Sequence, residues 1–191
     1  MTTSAVTAVL LGVLLMGCSP RPVPSESNSA QASATAVEWP RCTNPLGFSI
    51  SYPPGWFVHP ADAALNLTEC RLFAKNPFSA EQDANGWWRG AQTALTMGTG
   101  CLGSFEVAAS ERELVIQGFP AWVRELMFGE GANAGEVSGY AYFIDLRPGV
   151  ACENGSWFTA RTQPDAPGDY AANKATLDEM IQSLEFSSAV E

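Results

Sequence analysis

The chain has 191 residues, is 46% hydrophobic and carries a formal net charge of −10 at pH 7. Every charged side chain lies after residue 17, so the acidity belongs to residues 18–191. An acidic surface repels phosphate backbones, so no nucleic-acid partner is expected, while the hydrophobic share is that of a chain with a real core.

The opening runs apolar from Val6 to Met16 and then reads "LMGC" at residues 15–18. That run is too short for a membrane helix, which needs about 20 residues. It suits the apolar region of a secretory signal. Leu15, three before the cysteine, and Gly17, directly before it, resemble a bacterial lipobox. The resemblance implies that residues 1–17 are a lipoprotein signal peptide. It also implies that Cys18 carries the lipid that anchors the protein to a bacterial membrane, on the extracytoplasmic side. An ordinary cleaved signal, or a start codon placed upstream of the true one, are the alternatives. Residues 18–40 continue as "CSPRPVPSESNSAQASATAVEWP". Ser, Pro and Ala dominate, and so little apolar surface cannot drive folding. The segment reads as a flexible tether. The rest, residues 41–187, is the size of one domain.

In chain order, "GFSISYPPGW" (47–56) alternates Phe48, Ile50 and Tyr52 with serines, the pattern of a half-buried strand. Pro53-Pro54-Gly55 stops it, and Trp56 is expected to fold back onto the core. "CRLFAKNPF" (70–78) and "TALTMGTG" (93–100) read as strands, with a loop over 79–90. Within 104–130, Leu114-Val115-Ile116 is β-rich, Gln117-Gly118 turns, and Trp122, Arg124, Leu126 and Phe128 share one side: a hairpin. "SGYAYFIDLR" (138–147) and "SWFTARTQ" (156–163) come next as strands. Residues 164–186 read as a helix capped by Asp169, with Ala172, Leu177, Met180, Ile181 and Leu184 at helical spacing. The fold class is α+β, an antiparallel sheet with the C-terminal helix on one face.

Five cysteines less Cys18 leave Cys42, Cys70, Cys101 and Cys152. An even number in an exported chain suggests two disulfides. Three pairings are possible. Cys42–Cys70 and Cys101–Cys152 are favoured because each joins segments that flank neighbouring elements.

"FSISYPPGW", "ELVIQGFPAWVRE", "YAYFIDL" and "ATLDEMIQSLEF" occur in that order across residues 42–186. Together they resemble the PsbP-like superfamily, which includes small bacterial lipoproteins. The resemblance implies an α/β/α sandwich with helices on both faces of the sheet. It also implies a role in binding other proteins or assisting assembly, not a particular chemistry.

The residues themselves offer no catalytic set. His59 is the only histidine and comes just after a strand, beside Pro60. Glu111/Glu113 and Glu125/Glu130 are scattered carboxylates, and "GTGCLG" (98–103) has no helix after it to receive a phosphate. Asp165 and Asp169 lack the spacing of a calcium loop. No enzyme activity, metal or cofactor is expected. Trp87-Trp88 is the notable pair. Neighbours on a strand point to opposite faces, so at least one is expected to be exposed and to serve an interaction surface. The expected function is a membrane-tethered interaction or assembly module of the cell envelope, with an unidentified envelope protein as partner. The alternative is a lipoprotein that binds a small ligand or glycan.

Overall fold

The computed structural model describes residues 37–83, 86–101, 107–127, 137–164 and 169–187. Arg41–Asn44 (β1) and Phe48–Ser51 (β2) form the first hairpin. In β2 the alternation of "FSIS" buries Phe48 and Ile50 and half-buries the serines. β1 has no such pattern. It is held instead by Asn44, whose buried side chain accepts from Leu46 N and donates to Thr68 Oγ1 and the Glu69 carbonyl.

Short strands come next at Phe57–Val58 (β3), Leu72–Ala74 (β4), Glu81–Gln82 (β5) and Trp88–Arg89 (β6). Longer ones succeed them: Thr93–Thr99 (β7), Val107–Ile116 (β8), Phe119–Met127 (β9), Val137–Asp145 (β10) and Ser156–Thr162 (β11). A helix at Tyr170–Gln182 (α1) and a last strand at Glu185–Phe186 (β12) close the fold. β3-β4-β7-β11-β10-β9-β8 make a seven-stranded antiparallel sheet. β1-β2-β12 make a second sheet, and β5-β6 a two-stranded ribbon. The expected hairpin is β8–β9. It turns at Gln117 and Gly118, with φ of 51° and 85°, as a two-residue turn between twisted strands requires. Gln117 is not the residue such a backbone favours. Its side chain offsets that cost by donating to the Leu184 carbonyl and accepting from Phe186 N.

One face of the large sheet presents Leu95, Val123, Tyr140, Tyr142, Ile144 and Phe158 to the main core. Leu177, Met180 and Ile181 of α1 and Phe48 and Ile50 of β2 complete that core. Asp169 caps α1 as expected, accepting from Ala171 N at 3.0 Å. The helix is shorter than the sequence pattern implies. The Ser183 carbonyl accepts from the Arg41 guanidinium at 3.1 Å, and Ser183 Oγ accepts from Ser51 N at 2.8 Å. Those tertiary partners end the helix. They release Leu184 into the core and Phe186 onto β2.

The expected α+β class, with its sandwich of helices on both sheet faces, is corrected by this arrangement: the described fold is mostly β. Among the described residues there is one α-helix, and it shares its face of the sheet with β1-β2-β12. On the other face, from the segment 79–103, lies the β5-β6 ribbon and not a helix, and residues 93–99 of that segment are β7 of the sheet itself. Gly86 and Gly90 there have φ of 80° and 82°, a conformation that breaks a helix.

Two disulfides staple the fold. Cys42–Cys70 ties β1 to the approach to β4, and Cys101–Cys152 ties the exit of β7 to the turn before β11. Loops of 28 and 51 residues stabilise by roughly 3–4 kcal/mol each in the chain-entropy view. Two disulfides in one small domain point to an oxidising, extracytoplasmic compartment. Among the described residues no helix is long and apolar enough to cross a membrane.

Candidate functional site

On the face of the large sheet away from α1, register sets a row of side chains. Across β8, β9, β10, β11 and β7 it reads Glu113, Trp122, Phe143, Thr159, Thr96. The next row reads Glu111, Arg124, Ala141, Arg161, Ala94. The Arg124 guanidinium pairs with the Glu111 carboxylate and lies 4.9 Å from the Phe143 ring centroid. Trp157, opposite Gly98, occupies the adjoining position on β11.

Trp122, Phe143 and Trp157 line a cleft of about 190 Å³. Exposed Val150, Cys152 and the carboxylate-bearing Asp145 complete the wall. Asp145 Oδ1 accepts from Arg147 N at 3.0 Å. The Trp157 indole N–H is buried with no hydrogen-bond partner among the described residues. Three aromatic rings with a few polar groups suit the capture of an apolar or flat group of side-chain size.

The opposite face has a polar groove. Tyr140 and Tyr142 come from β10, Lys174 and Asp178 from α1, and Arg112 from the edge strand β8. The Tyr142 hydroxyl donates to Asp178 Oδ1 at 2.6 Å and lies 3.4 Å from the Tyr140 hydroxyl. Lys174 Nζ is 3.5 Å from Asp178 Oδ2 and 3.9 Å from the Tyr140 ring centroid. Burial first, then the hydrogen bonds to Asp178 and Tyr140, push the Tyr142 phenol well above its ordinary value. Tyr170 is raised likewise, by burial and then by Glu125, to which it donates at 3.3 Å. Burial pulls the Lys174 ammonium down, but Tyr140 and Asp178 outweigh it and hold the group above the usual lysine value.

The expected exposure of Trp87 or Trp88 is corrected: both are buried, at 8% and 5%. Trp88 sits among Leu67, Leu72, Ala91 and Ala94, the patch of sheet that the β5-β6 ribbon covers. Trp87 is covered as well, by its own chain. The Arg161 guanidinium stacks on its ring at 3.9 Å. Arg161 and Ala94 are partners across the β7–β11 pair, so both tryptophans pack against the same face of the large sheet.

His59 Nδ1 lies 2.8 Å from the Pro60 carbonyl oxygen, and Phe57 and Phe78 flank its ring. Glu111 is held by Arg124, and Glu125 accepts from Ser110 and Tyr170. Asp169 is engaged as the helix cap. Cys101 and Cys152 approach Glu153, yet their sulfurs are spent in a disulfide and offer no thiolate to a metal. Cys18, Phe128, Glu130 and Asp165 lie outside the described residues. The aromatic cleft itself is not singled out by the sequence. Its only signal there is the alternation that sets Trp122 on the same side of β9 as Arg124.

No family model matches the chain, and no curated protein matches it. The resemblance to the PsbP-like superfamily rests on the quoted motifs alone.

Proposed function

We propose that the protein is a lipid-anchored module of a bacterial envelope that holds a protein partner through the aromatic cleft. The observation that carries this reading is the concentration of Trp122, Phe143 and Trp157 in one concave site on the sheet face away from the helix. Buried aromatic anchors in pockets dominate protein interfaces. "LMGC" at residues 15–18 supports the anchor. The tether after it, at no more than about 3.3–3.6 Å per residue, lets the domain reach a partner well away from the bilayer. On this reading the module binds and positions and does no chemistry of its own.

Two experiments test the halves separately. A photo-crosslinking amino acid at Trp122 in intact cells is expected to give one discrete protein adduct, and the same probe at exposed Glu179 none. Equal adducts at both positions, or none at Trp122, would sink the docking half. Metabolic labelling with an alkynyl fatty acid is expected to mark the wild type and not Cys18→Ser. Label that survives the substitution refutes the anchor.

A second reading, a small-ligand or glycan site, takes its support from Asp145 beside the indoles of Trp122 and Trp157. Rings stack on sugars, and a carboxylate accepts their hydroxyls. Saccharide binding at the cleft without any protein adduct would favour it.

A further inference from the structure

The groove between α1 and the β8–β10 face lies across the sheet from the cleft and plays no part in the proposed docking. Its volume is about 460 Å³, within the range of small-molecule sites. Its charges do not cancel. Arg112 and Lys174 line it against one carboxylate, Asp178. That carboxylate is already engaged on one oxygen by the Tyr142 hydroxyl at 2.6 Å and faces Lys174 with the other. Arg112 has no hydrogen-bond or ion-pair partner among the described residues. Among the lining residues one positive charge is therefore left over, on a chain whose net charge is −10; Glu125, opposite Tyr140 on β9, stands outside the lining and accepts from Ser110 and Tyr170.

The walls are not all polar. Leu114 and Ile116 are half-buried on β8 and Ile181 faces them from α1. A charged head at Arg112 and Lys174 thus has apolar surface next to it. We infer that this groove binds an aliphatic monocarboxylate, with the carboxylate on Arg112 and Lys174 and the hydrocarbon against Leu114, Ile116 and Ile181. A monoanion balances the surplus charge. A dianion would meet Asp178. The planar guanidinium of Arg112 matches a carboxylate with two parallel N–H donors. Lys174 stays charged at neutral pH, since Tyr140 and Asp178 outweigh its burial.

The test is calorimetric titration of the purified full chain with sodium octanoate at low salt, beside octanol, octylamine and acetate. Octanoate is expected to bind saturably. Octanol and acetate are expected to bind at least about tenfold more weakly, and Arg112→Gln to weaken octanoate by about tenfold or more, as loss of a charge-assisted contact does. Arg112 is exposed at the sheet edge, so Arg112→Gln is expected to keep the wild-type melting temperature, which separates lost binding from lost folding. Leu114→Gln is expected to weaken octanoate and leave acetate as it was. No saturable octanoate binding overturns the inference, as does equal binding of octanol or octylamine. Arg112→Gln binding octanoate as the wild type does also overturns it. None of these outcomes bears on the cleft, whose crosslinking test uses the other face.

Discussion

The indole of Trp157 rests on Gly98, its partner across the β7–β11 pair. A Cβ at Gly98 would come within 2.5 Å of the Trp157 ring. Glycine in a strand interior weakens it, and here the aromatic ring fills the space that the missing side chain leaves. Gly98→Ala is expected to push Trp157 outward, reshape the cleft and cost about 1–3 kcal/mol through overpacking. Urea unfolding measures the cost, and near-ultraviolet circular dichroism reports the moved indole. A fully stable Gly98→Ala with an unchanged aromatic spectrum contradicts the close packing.

The two tryptophans of the "WW" pair should behave as core. Trp88→Ala is expected to destabilise by about 3–5 kcal/mol, as for other large buried side chains. Trp87→Ala also removes the ring under Arg161, a contact worth up to about 2 kcal/mol when desolvated. Thermal melts of both variants decide the matter. Unchanged stability in either would return that residue to the surface.

The disulfides differ in access. Cys70 is fully buried, whereas Cys101 and Cys152 are both exposed. Thiol–disulfide exchange needs access for the attacking thiolate. Mild reductant and then alkylation are expected to label Cys101 and Cys152 first and Cys42 and Cys70 only on unfolding. Complete loss of either bridge is expected to cost roughly 2–5 kcal/mol. Peptide mapping that finds Cys70 labelled first goes against this order.

Alkaline stability depends on Tyr142. An unfolded tyrosine ionises near about pH 10, and the folded one is held neutral to higher pH by burial and by Asp178 and Tyr140. Above the unfolded value the unfolded chain binds fewer protons than the native one. Stability therefore falls as pH rises, by up to about 1.4 kcal/mol per pH unit for one such phenol. Below that value Tyr142 contributes no pH dependence. Tyr142→Phe is expected to be less stable at neutral pH, for lack of the hydrogen bond to Asp178, and to lose stability less steeply above about pH 10. Parallel alkaline slopes for the two proteins refute the assignment.

Local pattern carried much of this fold because its causes are local. Alternation set Phe48 and Ile50 inward, since a pleated strand must point successive side chains to opposite faces. Gln117-Gly118 marked the β8–β9 turn through the backbone signs that a tight hairpin needs. Asp169 marked the start of α1 through the unpaired amides that a helix must satisfy. The cysteine pairing came from which segments neighbour each other along the chain. What the sequence could not determine was what covers each face. Ser183 ends α1 because Arg41 and Ser51, far away in the chain, take its polar groups. Trp87 is buried because Arg161 arrives from another strand. The cleft exists because register sets Trp122 beside Phe143 and puts Trp157 on the next row, and the groove because α1 brings Lys174 and Asp178 to β10. Each of these depends on residues brought together by long-range pairing, and a one-residue slip in any strand would send its side chains to the other face.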